Sequence, residues 1–223
     1  CVNPDRPTEM NDLSTMNNAV EIIGVSKSFG SHVVLDNVSL KVEVGENMVV
    51  FGQSGTGKSV LLKCIVRLLE PDSGEIFIEG TDVLKLQIKE LNEIRKQLGF
   101  LFQGAALYDS MSVKENLEFP LIRHFNFTPK EREEKVKSVL EKVSLEEAIN
   151  KMPSELSGGM KKRIGLARSI IAEPKLMLYD EPTTGLDPIT SKEISSLILE
   201  LQKSLKMTSI VVTHDLLCAE IIA

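Results

Sequence analysis

Residues 47–60 read NMVVFGQSGTGKSV, and this stretch restricts the chain more than any other. An apolar run, Met48 to Phe51, breaks into Gly52, Gln53, Ser54, Gly55, Thr56, Gly57, Lys58 and Ser59, and an amphipathic stretch follows from Val60 to Leu69. The spacing is G-x-x-x-x-G-K-S between a predicted strand and a predicted helix. Three glycines let successive backbone N–H groups converge on one point, and the helix start directs its positive dipole end there. Such a loop suits phosphate. Lys58 has the reach for β- and γ-phosphates, and the Ser59 hydroxyl is a hard oxygen donor for Mg²⁺. A chain built on this loop is expected to form an α/β core.

The rest of the composition sets limits. The 223 residues are 42% apolar and 26% charged, as in a soluble globular domain. No apolar run approaches the ~18–20 residues needed to span a bilayer, so any membrane role is expected to be peripheral. A net charge of −6 and few aromatics argue against a nucleic-acid partner. Cys1, Cys64 and Cys218 lack metal-ligand spacing and fit a reducing compartment. Residues 1–18 are polar and proline-bearing and read as a disordered leader, with Met10 or Met16 as alternative starts. The closing CAEIIA reads as a helix stopped before its cap, so the expected single domain, 19–223, is predicted to be truncated at its C-terminal end.

Between these ends the pattern changes twice. Residues 20–50 alternate as antiparallel strands. Residues 104–170 read as an inserted helical lobe. Ser112-x-x-Glu115, Thr128-x-x-Glu131 and Ser144-x-x-Glu147 all have the capping-box form there. From Lys175 strand and helix alternate again. Leu176 to Tyr179 is an apolar strand that ends in Asp180-Glu181, placed to hold Mg²⁺ and to orient an attacking water respectively. Leu156-Ser157-Gly158-Gly159-Met160 opens a helix with Ser157 as N-cap, a second surface suited to phosphate. One nucleotide needs only one such loop, so this one reads as serving a nucleotide held by another copy.

With these motifs in this order, residues 20–223 resemble the nucleotide-binding subunit of an ABC transporter. The resemblance implies a P-loop NTPase fold with a RecA-like core, an N-terminal antiparallel β subdomain and the inserted helical subdomain. It implies ATP and Mg²⁺ as cofactors and hydrolysis as the activity, with Glu181, His214 and Lys58 catalytic. Nucleotide contacts fall on Phe29, Gly52 to Val60, Gln103, Ser157, Gly158, Gly159 and Asp187. Metal contacts fall on Ser59, Gln103 and Asp180. Met160 stands where the family signature has Gln, so backbone and Ser157 contacts are left to act there. Phe29 also reads as a core aromatic, and Asp187 before Pro188 as a plain helix cap.

The stretch Leu101 to Met111, with Asn116-Leu117, Phe119-Pro120-Leu121, Arg123-His124 and Met152 to Met160, narrows the resemblance to Mla-type phospholipid (organic-solvent-resistance) transporter ATPases. This implies a homodimer bound through segment 104–125 to an integral membrane permease, with an MCE-domain lipid-binding protein. The location implied is peripheral, at the cytoplasmic face of the inner membrane. The competing expectation is an ATPase of the same family for another cargo, such as amino acids or lipoprotein release.

Overall fold

The computed structural model describes residues 18–223. The leader and its alternative starts, with Cys1, therefore lie outside the described residues, apart from Asn18, which opens the first strand. Strands β1 (Asn18–Phe29) and β2 (His32–Glu43) form an antiparallel hairpin that turns at Gly30. Strand β3 (Asn47–Phe51) runs into the glycine-rich loop and helix α1 (Lys58–Ile65). Then come β4 (Ser73–Ile78), β5 (Thr81–Asp82), α2 (Ile88–Arg95) and β6 (Leu98–Leu101). Helices α3 (Val113–His124), α4 (Pro129–Lys142) and α5 (Gly158–Ile170) separate β6 from β7 (Leu176–Asp180). The chain ends with α6 (Pro188–Leu205), β8 (Thr208–Thr213) and α7 (Leu216–Ile222).

Two four-stranded sheets result. One is antiparallel with order β2-β1-β4-β5, and the other is parallel with order β3-β8-β7-β6. The central strands β7 and β8 are buried along their whole length, and their two-residue alternation feeds two cores. Leu176, Leu178, Ile210 and Val212 pack with α1 and the antiparallel sheet. Met177, Tyr179 and Val211 face α5, α6 and the helical lobe. Cys64 is fully buried in the first core, where desolvation pushes its thiol pKa up to about 11.

The lobe shows where local signals prevail. Ser112 and Glu115, and likewise Thr128 and Glu131, exchange the reciprocal bonds of a capping box. The third expected box does not form. Ser144 adopts φ +55 and closes α4 instead, with its amide bonded to the Glu141 carbonyl and the Leu145 amide to that of Leu140. These two bonds, with Leu145 packed beside Leu140, make a Schellman C-cap. The residues after it wind only a 3-10 turn, Glu146–Ala148. Helix α1 likewise stops four residues short of the expected Leu69, because Arg67 turns left-handed at φ +52 and ends it the same way.

Asn116 is fully buried at the base of the loop that leaves the parallel sheet. Its Oδ1 accepts from the Tyr108 amide at 2.8 Å, and its Nδ2 donates to the carbonyls of Tyr108, Met111 and Ser112 at 2.9–3.1 Å. Asn116→Ala strands these groups in an apolar site, and a loss of at least about 2 kcal/mol is expected in urea unfolding. A midpoint shift equivalent to less than half of that would remove Asn116 as the loop's clamp.

Candidate functional site

The parallel sheet delivers four loops to one edge. β3 ends in the glycine-rich loop, β6 ends just before Gln103, β7 ends in Asp180-Glu181 and β8 ends just before His214. Parallel strands in register place their carboxyl ends together, which is why residues far apart in sequence meet here. The result is a cleft of about 300 Å³ lined by Ser54, Gly55, Gly57 to Val60, Gln103, Glu181 and His214, with Val34 from β2. A larger cavity, about 510 Å³, lies by the opposite strand ends and gathers none of these groups.

Gly57 is held by two constraints at once. Its φ is +89, and an added Cβ would stand 2.8 Å from both Val34 Cγ1 and the Val34 carbonyl. Behind it the Lys58 side chain is buried; its Nζ donates to the Gly52 and Gln53 carbonyls, both at 2.7 Å, and lies 3.4 Å from Glu181 Oε1. The ammonium thus sits inside the turn that the loop makes. Thr56 Oγ1 closes that turn on the Gln53 carbonyl at 2.9 Å.

Ser59 Oγ donates to Asp180 Oδ1 at 2.5 Å, so the two predicted metal donors are already adjacent. Among the described residues no group of three or more His, Cys, Asp or Glu could hold a metal. One carboxylate and one hydroxyl, both hard oxygens, fit Mg²⁺, which keeps waters and takes its remaining oxygens from substrate phosphates. They do not suit a metal needing an all-protein cage.

Glu181 is buried and has φ +50, an uncommon backbone for a non-glycine residue. Its Oε2 is 2.7 Å from His214 Nδ1 and accepts the His214 amide at 3.2 Å. Its own amide donates to the Val212 carbonyl at 2.9 Å. The carboxylate is therefore fixed between Lys58 and His214, at the mouth of the cleft.

The remaining predicted residues lie elsewhere. Ser157 caps α5 through the Met160 amide. It lines a separate surface of about 410 Å³ with Gly158, Gly159, Met160, Gly185, Leu186 and Asp187. Asp187 caps α6 by accepting from the Ile189 and Thr190 amides and the Thr190 hydroxyl, and the Thr190 bonds foremost hold its carboxyl below the usual range. The two surfaces share no lining residue, so one chain does not bring Ser157 to its own phosphate loop. Phe29 lines neither; it stands 48% exposed at the end of the β1–β2 hairpin, with Lys27 Nζ 5.7 Å from its ring centre. It is not the core aromatic that a phenylalanine taken alone also allowed.

Sequence reasoning passed over Lys162, which is buried and donates to the Gln103 and Glu181 carbonyls. It lies off the apolar stripe of α5, where a lysine reads as solvated. The available signal was Gly165 between Lys162 and Arg168, a small residue amid basic ones at helical spacing.

Comparison with known proteins gives the family and the fold. The ABC transporter family model matches residues 35–184. The probable ribonucleotide transport ATP-binding protein mkl of Mycobacterium leprae is 43% identical over 197 residues, covering 88% of this chain and 57% of that protein. The intermembrane phospholipid transport system ATP-binding protein MlaF of Haemophilus influenzae is 43% identical over 198 residues, 89% of this chain and 75% of that protein. The chain thus spans little over half the length of the mycobacterial relative. The dimeric ATP-binding cassette MJ0796, solved with ADP and Pi in a post-hydrolysis state, superposes with a TM-score of 0.82 at 34% identity, covering 91% of this chain and 90% of that one.

Proposed function

The chain belongs to the ABC transporter family of ATP-binding domains, and from that premise we propose that it binds and hydrolyses ATP for a membrane permease that moves phospholipid. The observation that carries the hydrolytic part is the meeting of Lys58, Ser59, Gln103, Asp180, Glu181 and His214 around one cleft. Backbone amides of Ser54 to Lys58 and the Lys58 ammonium bind the phosphates. Ser59 and Asp180, with Gln103 nearby, would hold Mg²⁺, which would supply charge neutralisation for the phosphate oxygens. Glu181 orients water in line with the γ-phosphate and takes its proton, and His214 steadies the carboxylate. Two copies meet head to tail, so that Ser157 to Gly159 of one chain closes over the nucleotide of the other and excludes water.

The transport part rests on a second surface. A groove of about 560 Å³ runs along the loop after Gln103 and is lined by Phe100, Phe102, Tyr108, Phe119, Pro120 and Phe125 among others. Phe100 and Phe102 stack at 4.2 Å, and Tyr108 meets Phe119 at 4.9 Å, leaving a wide aromatic floor suited to a partner's amphipathic helix. Among the described residues no helix is long and apolar enough to cross a membrane. Segment 104–125 forms much of this groove and is the permease contact. An MCE-domain protein completes the assembly, and this chain sits peripherally at the cytoplasmic face of the inner membrane, held by the permease. Phospholipid is favoured by the likeness to the Haemophilus protein. The equal likeness to a protein named for ribonucleotide transport makes another cargo the rival reading.

Affinity purification of the full-length protein from its own cells, in detergent, tests both parts. A permease, an MCE-domain protein and phospholipid are expected to co-purify with Mg²⁺-dependent ATPase activity. A different solute-binding protein overturns the cargo while leaving the hydrolysis. Phe119→Asp, which places a charge on the groove floor, is expected to reduce the recovered permease at least about tenfold and leave ATP binding intact. Full recovery of the permease would move the docking site off this groove.

A further inference from the structure

Helix α5 starts at the Ser157 loop, and one of its faces grips the loop after Gln103. Lys162, Gly165 and Arg168 are spaced three apart and share that face. The Lys162 ammonium donates to the Gln103 carbonyl. Gly165 lets the backbone come close; an added Cβ would stand 2.8 Å from Ala105 Cβ. Arg168 donates to the carbonyls of Ala106 at 2.8 Å and Ala105 at 3.1 Å. Ala105 and Ala106 are both left-handed, at φ +59 and +50, and these bonds fix them so.

Lys162 does more than hold that loop. The same Nζ reaches the Glu181 carbonyl at 3.4 Å, and the side chain is among the few charged groups buried in the described chain. A buried ammonium is costly, and carbonyl partners offset only part of that cost. Burial pushes its pKa down, while the nearby Asp180 and Glu181 carboxylates oppose the shift. An apolar side chain would fill the space without the cost. What Lys162 supplies is a second hold on a strained residue. The φ of +50 at Glu181 is a conformation that persists only where its surroundings impose it. The Val212 carbonyl fixes its amide, and Lys162 fixes its carbonyl.

We propose that Lys162 is a positioning residue for hydrolysis: it ties the backbone of Glu181 to that of Gln103, so that the aim of the Glu181 carboxylate depends on where the docking loop sits. The inference rests on the hydrolytic reading above and adds a residue and a route to it. Lys162 touches neither nucleotide nor water in this scheme; it acts through Glu181.

The test uses the full-length protein, with its permease where turnover alone is slow, in Lys162→Met and Lys162→Gln forms. Lys162→Met is expected to lower kcat about 10- to 100-fold, as a small misplacement of a reacting group does, with ATP affinity changed less than about twofold. Lys162→Gln keeps an N–H donor and is expected to restore most of the rate. Adding Lys162→Met to Glu181→Gln is expected to change the residual single-turnover rate less than about twofold, because both act through one group. Three results would overturn the proposal. They are a wild-type rate for Lys162→Met, a parallel loss of rate, affinity and melting temperature that Gln does not rescue, and a full Lys162→Met effect on top of Glu181→Gln. If the wild-type protein itself hydrolyses no ATP, the hydrolytic reading falls. If it does, and Glu181→Gln is inactive while Lys162→Met is not, only the role of Lys162 falls.

Discussion

Glu181→Gln is expected to stop ATP turnover, lowering kcat at least about 100-fold, while ATP still binds and the two chains stay together. The amide matches the carboxylate in shape. It retains an oxygen to accept from the His214 amide, now 3.2 Å from Oε2, so the backbone at φ +50 need not move. What is lost is the capacity to take a proton from water. The Lys58 bonds to the Gly52 and Gln53 carbonyls and the Ser59 bond to Asp180 do not involve this carboxylate and are unchanged, while the 3.4 Å charge pairing of Lys58 Nζ with Oε1 is lost. Fluorescent-nucleotide binding, phosphate release and light scattering with ATP read the three expectations separately. Rapid phosphate release by this variant would remove Glu181 from the chemistry. Lost binding would mean that its partner Lys58 needs the charge for support.

The second large effect comes from mixing two inactive proteins. Lys58→Ala removes the charge at the phosphate loop. Gly158→Asp places a carboxylate at the start of α5, where its own chain has room, since an added Cβ meets only Leu186 at 3.6 Å. An acid there also suits the helix dipole, so the chain folds, yet it repels a nucleotide carried by the partner. Each variant alone is expected to be inactive. In a head-to-tail pair of the two, both defects fall in one site and the other site is whole. Random pairing of equal amounts then restores about a quarter of wild-type phosphate release. Verified mixed pairs with no more activity than the separate variants would show that the Ser157 loop does not meet the partner's phosphate loop.

Legibility in the sequence followed the range of the interactions involved. The phosphate loop, the strand ending in Asp180-Glu181 and the caps at Ser112 and Thr128 are local patterns, and each is made by residues within a few positions. The full span of α6 was readable from Asp187-Pro188 and its apolar stripe. Ser144 misled because serine serves either helix end, and only the bonds back to Leu140 and Glu141 decide which. Lys162 stayed hidden because its partners are 59 and 19 residues away. Gathering Gln103 and His214 beside Glu181 required the register of four parallel strands, which no local pattern contains. The separation of the Ser157 surface from the phosphate loop follows in the sequence from counting phosphate sites, and in the structure the two are lined by different residues.

The shared strand edge also governs how such a chain can diverge. The groups that handle phosphate hang from four strands whose inner members are wholly buried, so most changes beneath them cost folding before they alter chemistry. The aromatic groove draws instead on Phe100 of the edge strand β6, on Phe102 just after it, and on Tyr108, Phe119, Pro120 and Phe125 of the helical lobe, none of them fully buried. Its residues can be exchanged with little penalty to the engine. On the docking reading proposed above, substitutions around Tyr108 and Phe119 refit the chain to a new partner while the phosphate-handling strand ends stay as they are.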